Sequence, residues 1–403
     1  MDYKKRRLNL YNLMDENSVF IFFNKRPYED ASMYDCDRNF YYLTGINEFD
    51  DILVVKKTDK LEEFLYIQRI NPQQEKWTGK VLRPNEAEEI SNINDIRYID
   101  QFDNDLEKLL DNTTKVYTLY KDGPEISYSY EELFRNKLIT DYKMTQVNGN
   151  TLLMKLRKVK DDEEIELIKK ANAITNIGIK NILSNLKPGL YEYQLESFFD
   201  QAIKFNGATG HAFPTICAGG INATCLHYNV NNSILNDNEL VLLDLGSSYK
   251  TYCSDISRTF PINGKFSDRQ KLVYNIVLKG QKLIESVAKP GYTTKELNQI
   301  LIKYFQKELK KIGLIDKDED VIKYYFHGVS HHMGMDCHDF CTYDALTKGC
   351  VISNEPGLYI PEWNIGIRIE DDLLITEDGC INLSKDIIKE IDDIEAFMSK
   401  QCA

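Results

Sequence analysis

The stretch Glu239-Leu240-Val241-Leu242-Leu243-Asp244-Leu245-Gly246 is followed by Ser247-Ser248-Tyr249-Lys250 and then Thr251-Tyr252-Cys253-Ser254-Asp255-Ile256-Ser257-Arg258-Thr259-Phe260. It reads as a strand, a turn and a returning strand, because apolar and β-branched residues dominate both arms. Asp244 and Asp255 lie equally far from the bond between Tyr249 and Lys250. A turn centred on that bond makes them direct cross-strand neighbours on one face, with Cβ atoms ~4.5–5.5 Å apart.

The same arithmetic recurs downstream. Val351 to Ile360 and Gly366 to Thr376 read as paired strands around Pro361-Glu362-Trp363-Asn364, and Glu355 and Glu370 are symmetric about the bond between Glu362 and Trp363. Adjacent carboxylates on apolar strands repel and are costly to desolvate. One such pair is best read as pointing outward or capping a loop. Two symmetric pairs, set among residues such as Val241-Leu242-Leu243 and Leu373-Leu374-Ile375, are better explained by cations. Two metals ~3.5–4 Å apart fit between such pairs and supply the missing charge.

A fifth ligand is expected from His327-Gly328-Val329-Ser330-His331-His332-Met333-Gly334-Met335-Asp336-Cys337-His338-Asp339, an irregular segment with four histidines in twelve residues. All six histidines of the chain fall between His211 and His338, so the chemistry is expected in the second half. Oxygen donors with a minority of nitrogen favour manganese, cobalt or zinc over calcium. Cys337 and Cys341 lie close by, but no second thiol pair follows at the spacing of a zinc site.

Outward from these hairpins, Lys187-Pro188-Gly189-Leu190-Tyr191-Glu192-Tyr193-Gln194-Leu195 is echoed by Lys289-Pro290-Gly291-Tyr292-Thr293-Thr294-Lys295-Glu296-Leu297, 102 residues later. Each copy follows a helical segment of about six turns and precedes a second helix. The second helices are predicted from Glu196 to Phe205 and from Asn298 to Ile312, with Gly207 and Gly313 as stops. One repeat of this length points to a pseudo-two-fold domain, not a solenoid. Residues 1–150 read as an α/β domain: Val19-Phe20-Ile21-Phe22-Phe23 and Ile52-Leu53-Val54-Val55 as buried strands, Gln101 to Asp111 as a helix. Asn148-Gly149-Asn150 marks a boundary. Residues 151–403 form the second domain, opened by Asp161-Asp162-Glu163-Glu164 at the start of a long helix.

The 403 residues exceed what one core usually holds. With 50 basic against 63 acidic side chains the net charge is −13, which disfavours nucleic acid and anionic membrane as partners. No apolar run reaches the ~18–20 residues of a membrane span. The basic start, Met1-Asp2-Tyr3-Lys4-Lys5-Arg6-Arg7, is not followed by the apolar stretch of a signal peptide. Nine cysteines scattered singly from Cys36 to Cys402 suggest reduced thiols, so a cytoplasmic location is expected.

Five segments, in order, resemble the proline-specific branch of the pita-bread metallopeptidases, most closely the aminopeptidase P (Xaa-Pro aminopeptidase) family. They are Leu243-Asp244-Leu245-Gly246, Tyr252-Cys253-Ser254-Asp255-Ile256-Ser257-Arg258-Thr259, His327-Gly328-Val329-Ser330-His331, Glu355-Pro356-Gly357-Leu358-Tyr359 and Ile367-Arg368-Ile369-Glu370-Asp371-Asp372. Arg38-Asn39-Phe40-Tyr41-Tyr42-Leu43-Thr44-Gly45 and Glu75-Lys76-Trp77-Thr78-Gly79 are similar to that family's N-terminal domain, so the resemblance spans nearly the whole chain.

The resemblance implies an α/β N-terminal domain, a C-terminal pita-bread domain with an internal duplication, and two divalent metals, usually manganese, with zinc or cobalt as alternatives. It implies Asp244, Asp255, His331, Glu355 and Glu370 as ligands, Asp255 and Glu370 bridging. His227 matches a substrate-side histidine, His338 one that faces the scissile carbonyl oxygen, and His327 one beside the proline pocket. Arg368 looks like a partner that orients carboxylate ligands, its plainer reading being a surface strand arginine. A homodimer or larger assembly is expected, with a tryptophan placed like Trp77 reaching a neighbouring site. Cys337 and Cys341 stand where relatives often carry aliphatic residues or glycine, and His332 where a large apolar residue is common.

The expected reaction is hydrolysis of the bond between a first residue and a following proline by a hydroxide activated by two metals. Glu355 is expected to shuttle the proton, His338 to stabilise the oxyanion, and His227 to assist at the substrate. Proline sets such peptides apart because its amide has no N–H and a fixed φ. The other readings are an Xaa-Pro dipeptidase (prolidase) with the same five ligands, a methionine aminopeptidase, which normally lacks this N-terminal domain, and a non-catalytic pita-bread module that binds peptides or proteins. A creatinase-like hydrolase does not keep this metal set.

Overall fold

Ser18–Asn24 is buried at all seven positions, as a strand covered on both faces is. In the computed structural model, which describes residues 1–25, 35–120 and 130–400, this strand lies inside a six-stranded mixed sheet. The order is Ile96–Tyr98, Leu61–Ile67, Asp51–Lys57, Ser18–Asn24, Lys115–Thr118 and Thr145–Asn148. The three middle hairpin strands run antiparallel and the outer pairings are parallel. Phe102–Leu110 is the predicted helix; it buries Phe102, Leu106 and Leu109 at helical spacing against Ile21, Phe23 and Val54. Trp77, on the short helix Pro72–Thr78, is 88% exposed. This sheet and its helices belong to a compact unit, Met1–Leu156; the second unit is Arg157–Ala403. The division falls inside the helix Asn150–Lys158, six residues beyond the boundary read from sequence.

In the second unit each Lys-Pro-Gly turn joins two helices. Asp162–Asn185 and Glu192–Phe205 flank the first, Asp268–Val287 and Thr294–Lys311 the second. Gly189 and Gly291 hold φ of +88° and +93°, a region costly for other residues, and both turns dock alike. Gly189 N–H donates to the Leu235 carbonyl, and the Leu190 carbonyl accepts from Leu235 N–H; Gly291 N–H and the Tyr292 carbonyl do the same with Leu346. The second helices begin four residues earlier than predicted, at Glu192 and Thr294. The side chains of Gln194 and Glu296 turn back to accept the Tyr191 and Thr293 N–H groups, which starts the helix at the turn itself.

Each half then supplies a sheet. The first orders Ile256–Pro261, Leu240–Leu245 and Ile216–Gly219; the second orders Val351–Asn354, Asp371–Ile375 and Cys380–Asn382, with Gly357–Ile360 and Ile365–Arg368 as a further pair. One core, from Ile174 through Phe260 and Leu301 to Ile369, runs through both halves.

The first hairpin departs from the predicted register. Asp244 pairs with Ser257, not Asp255, and Tyr249 with Tyr252. The loop is only Lys250-Thr251, both at positive φ (48° and 72°), so the turn sits one residue further along and each pairing moves by two. A shift of two keeps the face, so Asp255 is a diagonal neighbour of Asp244. Pairing lapses at Gly246, where a Cβ would lie 1.9 Å from the Ser254 carbonyl oxygen. The second hairpin keeps the predicted register: Gly357 pairs with Arg368 and Asn354 with Asp371, and the ladder lapses between them, at Glu355-Pro356 and Ile369-Glu370. The eight described cysteines are free thiols, and Cys402 lies outside the described residues. No described helix is long and apolar enough to cross a membrane.

Candidate metal centre

The two hairpins meet edge to edge. Glu370 N–H donates to the Ser257 carbonyl (3.0 Å), and the Thr259 hydroxyl bridges to the Arg368 backbone (3.2 Å). This brings the carboxylates of one hairpin opposite those of the other. The histidine segment then runs beside Val351–Asn354: Met333 N–H donates to Val351, Ser353 N–H to His331, and Glu355 N–H to Val329, at 2.9–3.1 Å. His331 is thereby fixed beside Glu355 by backbone pairing.

Asp244, Asp255, His331, Glu355 and Glu370 all face one cavity of about 630 Å³, and so do His227, His327, His338 and Arg368. Every candidate site residue read from sequence is thus gathered in one place. Phe213, Pro214, Ile216, Leu226 and Tyr343 give the cavity its apolar wall. His331 Nε2 lies 3.3 Å from Asp255 Oδ2 and 3.6 Å from Glu355 Oε1. Donor atoms of Asp255, His331 and Glu370 all lie within 4.8 Å of one another. His331 Nδ1 is 3.1 Å from the His332 carbonyl, which only accepts, so Nδ1 carries the proton and Nε2 is the ligating nitrogen once His331 is neutral.

Arg368 is no surface arginine: it is 2% exposed. Its Nη2 donates to Asp244 Oδ2 at 2.6 Å, its Nε to Ser257 Oγ at 2.7 Å and its Nη1 to Tyr359 Oη at 2.9 Å. Ser257 Oγ lies 2.7 Å from Glu370 Oε2 and 3.0 Å from Asp244 Oδ1. Tyr359 Oη in turn lies 3.0 Å from His327 Nε2, while His327 Nδ1 is 2.7 Å from the Gly328 carbonyl. That carbonyl fixes the tautomer, so the chain of donors runs Arg368 to Tyr359 to His327 to Gly328. Ser257 and Tyr359 were not singled out by sequence reasoning, although each lies in a quoted motif; a hydroxyl between two strands carries no pattern of its own.

The electrostatics describe a site short of positive charge. Burial pushes Glu370 well above the usual carboxylate range, Glu355 up to about 7, and Asp244 upward despite Arg368. Burial would raise Asp255 too, but its hydrogen bond with His331 outweighs this and holds it low. Burial would lower His331, yet the same bond carries it up to about 9. Burial holds His327 neutral, down at about 3, and lowers His338. Four carboxyls around one imidazole, three of them reluctant to ionise without a cation, fit a pair of divalent ions.

Two family profiles match the chain: metallopeptidase family M24 over residues 166–377, and the aminopeptidase P N-terminal domain over residues 3–118. The chain is 33% identical to a Xaa-Pro aminopeptidase of Haemophilus influenzae, over 99% of this chain and 97% of that protein. A solved structure from Bacillus anthracis, provisionally assigned as an aminopeptidase P, superposes with a TM-score of 0.96 at 42% identity, covering 99% of this chain and 98% of that one. Aminopeptidase P from Escherichia coli with the inhibitor Pro-Leu superposes with a TM-score of 0.91 at 29% identity, covering 100% and 98%.

Proposed function

This chain belongs to metallopeptidase family M24 and is a metal-dependent Xaa-Pro aminopeptidase, and from that premise we propose how its own residues divide the work. Asp244, Asp255, His331, Glu355 and Glu370 would hold two divalent ions, manganese in the resting enzyme, with Asp255 and Glu370 as the ligands shared by both. The observation that carries this is the convergence of the five donors on one cavity that is short of positive charge. Divalent ions held there supply a nucleophile at neutral pH, by lowering the pKa of water, and polarise the scissile carbonyl.

The protein's part is to orient and to move protons. Arg368 and Ser257 grip Asp244 before anything binds, so its oxygens have no freedom to lose. Glu355 takes the proton released during attack and delivers it to the proline nitrogen, which must be protonated to leave. His338, exposed at the cavity and stacked on His331 at 4.0 Å between ring centres, faces the scissile oxygen and stabilises the oxyanion. His227 lies on the substrate side. His327 borders the proline ring. The catalytic work belongs to residues 151–403 and residues 1–150 assist assembly: a homodimer or larger oligomer, in which the exposed Trp77 approaches a neighbouring site. The free thiols support a cytoplasmic location.

Hydrolysis of Gly-Pro and Arg-Pro-Pro, followed in parallel with metal-stripped protein before and after adding manganese, tests the assignment. Metal-dependent release of free arginine from the tripeptide is expected. Cleavage of the dipeptide alone would move the chain to the prolidases, and tight metal binding without cleavage of either would favour the binding-module reading.

A further inference from the structure

Among the described residues, Cys337 is the one thiol that lines the cavity. Its Sγ lies 2.8 Å from Asp255 Oδ2, and together with one ring nitrogen each from His331 and His338 it forms a group of donors all within 4.8 Å of one another. This is not the pairing of Cys337 with Cys341 dismissed from sequence, since Cys341 faces Lys160 and Asp339 instead. Sulfur and two imidazoles are a soft donor set, unlike the carboxylate-dominated set that shares His331 with it.

We propose that His331, Cys337 and His338, with Asp255 in reach as a fourth donor, form a second, mutually exclusive site for a thiophilic divalent ion such as zinc or cadmium, through which such an ion arrests the enzyme. The proposal rests on the reading of His331 and Asp255 as ligands of the working metals and goes beyond it.

A tetrahedral zinc ion, with bonds of about 2.0 Å to nitrogen and 2.3 Å to sulfur, sets one sulfur and two nitrogens roughly 3.3–3.5 Å apart. The triad's donors, all within 4.8 Å of one another, are near enough to gather around such an ion, and His338, exposed at the cavity, is the member with room to adjust. On binding, the Cys337 S–H bond breaks, an S–metal bond forms from the sulfur lone pair, and the proton leaves to solvent. Three consequences follow from sharing. His331 Nε2 is withdrawn from the working pair, Asp255 is drawn from its bridging place, and His338 no longer faces the substrate. Manganese, which prefers oxygen, gains little from the thiol and stays in the carboxylate set. The site therefore sorts ions by softness within one cavity.

The test uses the full chain loaded with manganese and titrated with cadmium, whose thiolate charge-transfer absorption reports a metal–sulfur bond directly. Wild type is expected to show one such bond per chain, retained in C225S, which removes the one exposed thiol among the described cysteines, and lost in C337S. H338A, which keeps the thiol, should weaken cadmium binding roughly 10-fold or more. Excess zinc should inhibit arginine release from Arg-Pro-Pro at concentrations roughly 10-fold lower for wild type than for C337S. No band in wild type, or an undiminished band in C337S, overturns the proposal even where manganese-dependent cleavage is normal. A Cys337-dependent band without manganese-dependent cleavage would instead sink the peptidase mechanism and leave the soft site standing.

Discussion

The two hairpins that carry the carboxylates solve one problem in different ways. The first turns on two residues, Lys250 and Thr251, both in left-handed conformations, and places Asp244 within a regular ladder opposite Ser257 while Asp255 falls in the gap beside Gly246. The second turns on Pro361–Trp363 with Asn364 left-handed, and both of its carboxylates, Glu355 and Glu370, fall in the gap of its ladder. Three of the four acids thus stand where strand pairing lapses. A regular ladder points side chains straight off the sheet, whereas a lapse lets the backbone turn and aim an oxygen sideways. The exception, Asp244, is the acid held by Arg368, so an ion pair supplies the aim that a gap supplies elsewhere.

Replacing the acids one at a time tests that division most severely. D255A and E370A, the proposed bridges, should lose both ions and more activity than the ~10²–10⁴-fold typical of losing a proton-transfer group. D244A should retain one ion. Metal analysis beside kcat/KM distinguishes these; equal metal loss in all three would erase the contrast between gap and ladder. E355A comes next, with kcat down about 10²–10⁴-fold. A folded, metal-loaded E355A with near-normal turnover would remove Glu355 from proton transfer.

R368K breaks the substitute for a gap. Lysine cannot span Asp244, Ser257 and Tyr359 at once, so metal affinity or activity should fall about 10–100-fold. An effect on kcat/KM alone, with metal content intact at limiting manganese, would assign Arg368 to substrate instead.

Metal removal gives the next largest effect. Glu370, Glu355 and Asp244 have raised pKa values, so the folded apo chain favours their protonated forms and loses stability as pH climbs above the unfolded carboxylate value towards 7. His331 acts in the same direction: its contribution is full below its unfolded pKa and is lost as pH rises through about 9. Asp255, held low, matters only as pH falls below its ordinary value. Melting of the apo protein should therefore drop between pH 5 and 9 by several degrees, and manganese should flatten the curve. A flat apo curve would mean the carboxyls do not share one site.

The smallest effect concerns the turns themselves. A β-branched residue at positive φ carries strain of order 1–3 kcal/mol. T251G should relieve part of it and raise Tm by about 2–4 °C, whereas N364G should change little, because asparagine tolerates that conformation.

This contrast also explains what the sequence made legible. The ligand candidates were readable because buried acids and clustered histidines are chemically expensive and demand a reason. The second hairpin's register was readable because Pro361 announces its turn. The first was not: neither Lys250 nor Thr251 is a residue that advertises a left-handed turn, so a two-residue loop looked like a longer one. Its parity survived, and with it the face of Asp255. The early starts of Glu192–Phe205 and Thr294–Lys311 were half readable. Thr293 and Glu296 spell a capping box, but Tyr191 does not, and treating the copies alike carried the error into both. Ser257 and Tyr359 escaped because their importance lies in what stands across from them.

The donor chain ending at His327 has one more consequence. Both of its ring nitrogens are engaged, one receiving the Tyr359 hydroxyl and one donating to the Gly328 carbonyl. An imidazole in that state behaves as a rigid aromatic plate, with no proton to offer and no lone pair to lend. Beside the ring of a bound proline, it would greet a side chain that likewise offers neither, and a residue bearing a polar group there would lose its water and find nothing in exchange. Selectivity of this kind works by indifference: the wall is made unresponsive, and only a guest that asks for no hydrogen bond is left unpenalised.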